Sequence, residues 1–380
     1  MRIGIEAQRL FRTKKHGMDI VALELIKSLQ EMDNDNEYHI LVKKDKDMGC
    51  LEIRNSKFML HVLPSLPYPI WEQLLLPFYV WRLKLDLLHC TANTAPVICP
   101  CKMVVTLHDI IFLEKNPMKG LGSSYQKLGN VYRKYVVPLV VRKCKQLITV
   151  SYFEQTRIVD FFRLQKEKVK VVYNCVGAHF FVQHTIEDKQ ELRQEYSLPE
   201  RYMLFLGNKD PKKNLPNVIR AYARYVKKTQ NPLHLVVLDF SKQAMATFVE
   251  DEQLGMELLE KMVSIGYVRN QKLPILIQAS QLFLYPSLRE SFGIPLLEAM
   301  ACQVPVITSN TSSMPEVAGG CALLVNPESV EEIAQAMARV QNENQFRESL
   351  ICDGRARSQE FTWAASARYS LECYKYAMED

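Results

Sequence analysis

The segment Pro286-Ser-Leu-Arg-Glu-Ser-Phe-Gly-Ile-Pro-Leu-Leu-Glu298 carries two glutamates, Glu290 and Glu298, separated by seven residues. Carboxylate oxygens accept charge-assisted hydrogen bonds and can chelate adjacent hydroxyls, so the pair suits a sugar. Between them, Ser291, Phe292, Gly293 and Ile294 offer backbone N–H groups where Pro295 marks the first turn of a helix, an arrangement that attracts phosphate. The alternative is surface glutamates on an ordinary helix. A second loop, Gly207-Asn208-Lys209-Asp-Pro-Lys212-Lys213-Asn214, gathers three lysines that would neutralise a diphosphate and stabilise it as a leaving group; a charged surface turn is the other reading. Two shorter segments add polar groups. Thr106-Leu-His-Asp109 ends an apolar run with His108, either catalytic or structural. Lys14-Lys-His-Gly-Met18 contains Gly17, which lets backbone approach a ligand.

Each of these loops follows a run that reads as a strand. Residues 2–6, 37–42, 58–63, 87–90, 103–107, 146–150 and 169–173 alternate with helical stretches over Met18–Gln30, Trp71–Leu83 and Tyr125–Lys145. After a crossing over Asn174–Asp188 a second series begins: strands at 202–207, 234–239, 264–268, 281–285, 304–308 and 322–325, with helices over Leu215–Lys228 and Lys272–Ala279. The stretch from Glu328 onward reads as helical. Strands alternating with helices predict two parallel, doubly wound sheets, with ligands at the carboxyl ends of their strands. The domains are expected at 1–180 and 190–355, with a helix over 356–380 packing back toward the first.

Length and composition agree. A chain of 380 residues, 48% of them apolar, exceeds one ordinary core. Residues 1–189 hold 28 Lys and Arg against 19 Asp and Glu, whereas residues 190–380 hold 20 against 23. The basic front half suits an anionic partner, a membrane lipid or phosphorylated acceptor, or is simply solvated. No basic helix repeat or aromatic-basic signature points to nucleic acid. Ten cysteines without a CxxC pair read as reduced thiols of a cytoplasmic protein, and Cys99-Pro-Cys101 near Cys90 is too weak a signal to expect a metal. The opening MRIGIEAQRL enters a strand directly, so no signal peptide is expected, and no apolar run is long enough to span a bilayer. Within Pro64–His89, Trp71, Leu74, Leu75, Phe78 and Trp81 follow helical spacing and are expected to pack a helix on the first sheet, with membrane contact as the alternative. Gly120 and Gly122 make no complete GxGxxG, and there is no Walker P-loop.

Together the loops resemble the retaining glycosyltransferases of family 4, an α/β family with the GT-B fold, in which two Rossmann-like doubly wound parallel-sheet domains face a central cleft. The resemblance covers nearly the whole chain and is strongest over Ala279–Pro327, where the glutamate-x7-glutamate region is almost continuous. MRIGIEAQRL, WEQLLLP, TLHDI, TVS and VVYNCV resemble in particular the branch of bacterial mannosyltransferases of polysaccharide assembly. The resemblance implies that Glu290 contacts the donor sugar, Glu298 the ribose hydroxyls, and the Phe292 and Gly293 amides the sugar or phosphate. It implies that Lys213 grips the diphosphate, Tyr267 and Val268 line the base, His108 touches the donor sugar, and Gly17 belongs to a loop closing on donor and acceptor. Asn208 stands where many relatives carry Arg, so diphosphate binding leans on Lys213 with Lys209 or Lys212, and the glycine-rich loop is reduced to His16-Gly17-Met18. Family enzymes of this fold need no divalent metal or cofactor. The expected reaction is metal-independent, retaining transfer of a hexose, mannose favoured, from a GDP- or UDP-sugar to a glycan or lipid-linked acceptor, in the cytoplasm or at the inner face of the membrane. A nucleotide-sugar 2-epimerase and a non-catalytic sugar-nucleotide-binding subunit are the alternatives.

Overall fold

The computed structural model describes residues 1–379 except 14, 16, 115–123, 208 and 209, and gives no side chains for 124–127. Lys14, His16, Gly120, Gly122, Asn208 and Lys209 therefore lie outside the described residues. The chain divides into two compact units, one formed by Met1–Cys175 together with the C-terminal helix, the other by Val176–Phe361.

In the first unit the order is β1 (Arg2–Glu6), α1 (Gly17–Met32), β2 (Glu37–Lys43), β3 (Phe58–Leu63), α2 (Tyr68–Ile70), a π turn over Trp71–Leu75, α3 (Leu76–Arg82), β4 (Leu87–Cys90), β5 (Lys102–Thr106), α4 (Ser124–Lys143), β6 (Gln146–Thr149), α5 (Tyr152–Phe162) and β7 (Val169–Val171). The seven strands are parallel in the order β3-β2-β1-β4-β5-β6-β7. Both faces are covered, which is why runs such as Leu87–Cys90 are buried at every position. Ala22, Leu25, Ile26 and Leu29 of α1 pack on one face, and Val80 of α3 with Val136, Val137 and Val140 of α4 on the other.

The second unit runs α6 (Ile186–Tyr196), β8 (Tyr202–Phe205), α7 (Leu215–Lys228), β9 (His234–Leu238), α8 (Lys242–Asp251), β10 (Met262–Ile265), α9 (Leu273–Gln278), β11 (Leu282–Tyr285), α10 (Ile294–Ala301), β12 (Val306–Ser309), α11 (Met314–Ala318), β13 (Leu323–Val325), α12 (Val330–Asn342) and α13 (Asn344–Gln359). Its six parallel strands are ordered β10-β9-β8-β11-β12-β13. The strongly amphipathic α7 buries Val218, Ile219, Tyr222 and Tyr225 against that sheet. The last helix, α14 (Trp363–Met378), returns to the first unit, packing on α1, β5 and β6. His89 of β4 fixes it there: Nδ1 lies 2.7 Å from the Tyr374 hydroxyl and Nε2 2.8 Å from Thr106 Oγ1, and burial pushes the imidazole down to about 3. In each sheet the strand order reverses once, between β1 and β4 in the first unit and between β8 and β11 in the second. Ligands of open α/β sheets bind at such points, beyond the carboxyl ends of the strands.

The aromatic helix corrects one expectation. Trp71 is fully buried, but Leu74, Phe78 and Trp81 do not pack on the sheet; they are 67%, 48% and 67% exposed. The π turn over Trp71–Leu75 breaks the 3.6-residue phase, so Trp71, Leu76 and Val80 face the core with Leu75 and Tyr79 packed beside them, while Leu74, Phe78 and Trp81 face outward. The strand expected to reach Val268 ends at Ile265. Trp71→Ala is therefore expected to cost about 3–5 kcal/mol, whereas Trp81→Ala should stay within about 0.5 kcal/mol of the parent. Urea denaturation of both variants checks the difference.

Candidate functional site

At the reversal point of the second sheet, β11 ends on Tyr285 and the chain turns through residues 286–293 before α10 begins. Several groups hold this loop by its backbone. Asn214 Nδ2 donates to Pro286 O at 2.9 Å and to Pro327 O at 2.6 Å, and Leu288 N donates to Lys212 O at 2.8 Å, so the loops after β8 and β11 are tied together. Ser313 Oγ lies 3.0 and 3.1 Å from the carbonyls of Glu290 and Phe292, Ser312 Oγ accepts from Glu290 N at 3.2 Å, and Ser309 Oγ donates to Ser287 O. Gly293 sits at φ +96°, where an L side chain is strained. Gly207, two residues beyond β8, is equally constrained: a Cβ there would lie 1.9 Å from the Phe205 ring.

Within this frame Lys213 Nζ donates to Glu290 Oε1 at 2.6 Å and to the Tyr285 hydroxyl at 2.7 Å. Burial alone would raise the Glu290 carboxyl. The charges of Lys213 and Lys212 and hydrogen bonds from Lys213 and Tyr285 outweigh it, so the group sits below its ordinary value and is ionised at neutral pH. Burial and the neighbouring Glu290 charge push the Tyr285 phenol far up, so it stays neutral. Lys212 faces Asp210 at 3.9 Å.

Ser291, Phe292, Gly293 and Ile294 lead into the first turn of α10, where the positive end of the helix dipole favours negative charge. Glu298 lies farther along that helix. Part of the residue reaches solvent, yet its carboxyl is surrounded densely enough that burial pushes it up to about 7. It is thus poised between a hydrogen-bond donor and an acceptor near neutrality. Beyond β10, Tyr267 is 55% exposed and Val268 is buried. The remaining two candidates belong to the first unit. The backbone N–H of His108, just past β5, donates to Asn93 Oδ1 at 2.7 Å, and its Nε2 lies 3.0 Å from Thr91 O. A carbonyl only accepts, so Nε2 carries the proton and Nδ1 is the acceptor; burial outweighs the Thr91 hydrogen bond, lowers the imidazole and keeps it neutral. Gly17 opens α1, with nothing within 4 Å of where a Cβ would stand.

Lys213, Glu290, Phe292, Gly293 and Glu298 are therefore brought onto two adjoining loops and one helix, with Lys212 and Gly207 beside them. Tyr285, Asn214, Ser312 and Ser313 complete the frame without having been singled out in the sequence. Tyr285 carried the only available signal, as the last residue of a strand immediately before a charged loop.

Two such doubly wound units, with charged loops at the sheet's reversal point, define the GT-B class of fold, and solved structures agree. HepE from Anabaena in complex with UDP-glucose superposes with a TM-score of 0.75 at 19% identity, covering 99% of both chains. The chain belongs to the glycosyltransferases: residues 16–179 match the model described as Glycosyltransferase Family 4, and residues 188–357 that described as Glycosyl transferases group 1. Among curated proteins it is 29% identical over 238 residues to O-antigen chain mannosyltransferase B of Escherichia coli, covering 61% of this chain and 60% of the relative. It is also 29% identical over 262 residues to the O-antigen chain mannosyltransferase RfbU of Salmonella typhimurium, covering 66% and 67% respectively. The chain thus spans about six tenths of the length of the first of these relatives.

The buried pair makes a testable statement. Lys213→Met strands an unpaired carboxylate and is expected to destabilise the protein by about 3–5 kcal/mol, with Glu290→Gln in the same chain recovering most of the loss. Without the lysine, burial would carry the Glu290 carboxyl above its ordinary value, and protonation at low pH would remove the buried charge. The single variant's deficit should accordingly shrink from pH 8 to pH 5, and a pH-independent, additive cycle would contradict the coupling.

Proposed function

We propose that the protein is a retaining, metal-independent hexosyltransferase that moves mannose from a nucleotide-diphosphate sugar to a glycan or lipid-linked acceptor of cell-surface polysaccharide assembly. The observation that carries this reading is the Lys213–Glu290 pair at the reversal point of the second sheet, beside the N-terminus of α10. The ammonium has three N–H donors, of which Glu290 and Tyr285 take two, so a third can meet a phosphate oxygen. Lys213, Lys212 and the amides at Phe292 and Gly293 would then stabilise the negative charge that grows on the diphosphate as its bond to the sugar C1 breaks. Glu290 would accept hydroxyl protons of the donor sugar and Glu298 those of the ribose, while Gly207 lets the backbone approach the phosphates and Tyr267 and Val268 line the base. Neutral His108 and Gly17 of the first unit serve the reacting sugar. The acceptor oxygen would attack C1 from the face the diphosphate leaves, passing its proton to the departing phosphate oxygen, so that configuration is retained. The mannosyl donor is favoured by the relatives, which are O-antigen chain mannosyltransferases.

The same proposal places the enzyme in the cytoplasm, at the inner membrane face. All ten cysteines are free, and among the described residues no helix is long and apolar enough to cross a membrane. Leu74, Phe78 and Trp81 are exposed, the Phe78 ring lies 6.1 Å from that of Trp81, and Trp81 lines a hollow with Arg82, Lys84 and Pro100, while a second hollow sharing Pro100 is lined by Ile98, Lys143 and Lys145. Apolar side chains fringed by cations fit an anionic lipid surface.

The donor reading predicts that one nucleotide among GDP-, UDP-, ADP- and dTDP-sugars raises the melting temperature selectively with EDTA present. Glu290→Ala or Lys213→Ala should lower kcat on the order of 10²–10³-fold, and full activity in both would sink the assignment. For the membrane contact, Leu74→Ser/Phe78→Ser/Trp81→Ser is expected to abolish co-sedimentation with phosphatidylglycerol vesicles while leaving melting temperature and nucleotide binding unchanged. Equal sedimentation of variant and parent would refute that surface.

A further inference from the structure

Cys99 and Cys101 stand just before β5, at the opposite end of that strand from His108. Their sulfurs lie 3.6 Å apart. Both residues are half-buried, and both line an open hollow of about 660 Å³ with Asp86, Lys102, Lys143 and Lys145. Two of these lysines are held in place by backbone: Lys102 Nζ donates to Met378 O at 2.9 Å and Lys143 Nζ to Val97 O at 3.0 Å. Two further thiols of the same core, Cys90 and Cys144, are sealed at 0% and 2% exposure. Burial pushes the first far up and the second up to about 11, so both stay protonated and inert. The exposed pair differs. A hydrogen bond from the Cys101 S–H outweighs burial at Cys99 and holds its thiol below the ordinary value, while the same bond and burial raise Cys101.

A disulfide needs the two sulfurs at about 2.05 Å. Residues 97–101 form neither helix nor strand, and the pairing of β5 with β4 begins only at Lys102, so the sulfurs can close the remaining gap without disturbing the sheet. We propose that Cys99 and Cys101 form a redox-active dithiol, closed to a reversible disulfide by a small anionic disulfide such as glutathione disulfide. The Cys99 thiolate attacks one sulfur of that molecule, giving a mixed disulfide and releasing one thiolate. Cys101 then gives up its proton and attacks the Cys99 sulfur, forming the Cys99–Cys101 bond and releasing the second thiolate. The protein thus loses two electrons and two protons, and the small disulfide gains them as two thiols. The lysines that line the hollow favour an anionic reagent. In a reducing compartment a bond of this kind is transient and senses oxidant rather than bracing the fold.

The test incubates the reduced full chain with glutathione disulfide, quenches it with acid, and alkylates it with N-ethylmaleimide in denaturant before tryptic digestion and mass spectrometry. One tryptic peptide, Leu85–Lys102, carries Cys90, Cys99 and Cys101. It is expected to bear a single alkyl group, on Cys90, and to have lost two hydrogens between Cys99 and Cys101. Dithiothreitol added before alkylation should restore all three alkyl groups. Three alkyl groups after incubation with glutathione disulfide, a bond that engages Cys90, or a glutathione adduct that persists on Cys99 of the parent would each overturn the proposal. The order of attack is read from two variants whose melting temperatures report folding. Cys101→Ser should accumulate the glutathione adduct on Cys99, and the same peptide of Cys99→Ser should be modified at least about tenfold more slowly than that of the parent. Equal rates in Cys99→Ser and parent would refute Cys99 as the attacking thiol. The parent measurement needs no substitution, so a variant that fails to fold leaves the proposal open to refutation.

Discussion

The second unit's site depends on one costly arrangement: a glutamate 7% exposed, kept ionised by a lysine at 2.6 Å. Two unit charges about 4 Å apart attract by about 4 kcal/mol at an effective dielectric of about 20, and desolvating each ion costs several kcal/mol. The two magnitudes are comparable, so the pair adds little net stability and serves instead to fix where Lys213 and Glu290 stand. Much of the surrounding framework follows from that need. Ser312, Ser313, Asn214 and the left-handed Gly293 act on the backbone of the loop that carries Glu290, and the Leu288–Lys212 bond ties the loop to the one that carries Lys213.

The same arrangement sets the character of the site. A lysine fully satisfied by protein groups would have no donor left for a ligand, and one with no partner would be a mobile point charge. Lys213 lies between these cases, because Tyr285 and Glu290 orient it and leave one N–H. Tyr285 can play that part because burial holds its phenol neutral. Glu290 and Glu298 then diverge by environment alone. Cations hold the first below the ordinary carboxylate value, and burial without such a neighbour lifts the second to about 7. Two glutamates on one loop and helix thereby acquire different hydrogen-bonding abilities.

How much of this was legible in the sequence follows from the range of the interactions involved. Strands of a parallel sheet covered on both faces read as short continuous apolar runs, so all thirteen stood out, with only their ends misjudged, as at Ile265. The loops carrying Lys213 and Glu290 could be placed because each follows such a run. The helix around Trp71 could not be oriented. It is apolar nearly all round, and the π turn that decides which residues face the core leaves no mark in the spacing. Ser312, Ser313 and Asn214 escaped for a different reason: they bond to backbone groups of segments distant in the chain, and a hydroxyl or amide bonded to backbone looks like any other polar loop residue. Glu6 was read only as the end of a strand, since its burial is a property of the packing around it.

Charge shows most clearly why local environment outweighs composition. Residues 1–189 carry the excess of cations, yet the reversal point of the first sheet is built around two carboxyls, Glu6 and Glu72. Residues 190–380 carry the excess of anions, yet the corresponding point in the second sheet is organised by Lys212 and Lys213. The surplus cations of the first half include Arg82, Lys84, Arg142, Lys143 and Lys145, all solvent-exposed. Exposed charges shape the long-range field and the surfaces a protein meets. The chemistry at a strand's carboxyl end is set by the few charges that burial leaves unscreened. A lobe's net charge and the charge of its site are therefore independent quantities, and only the second bears on which ligand the site accepts.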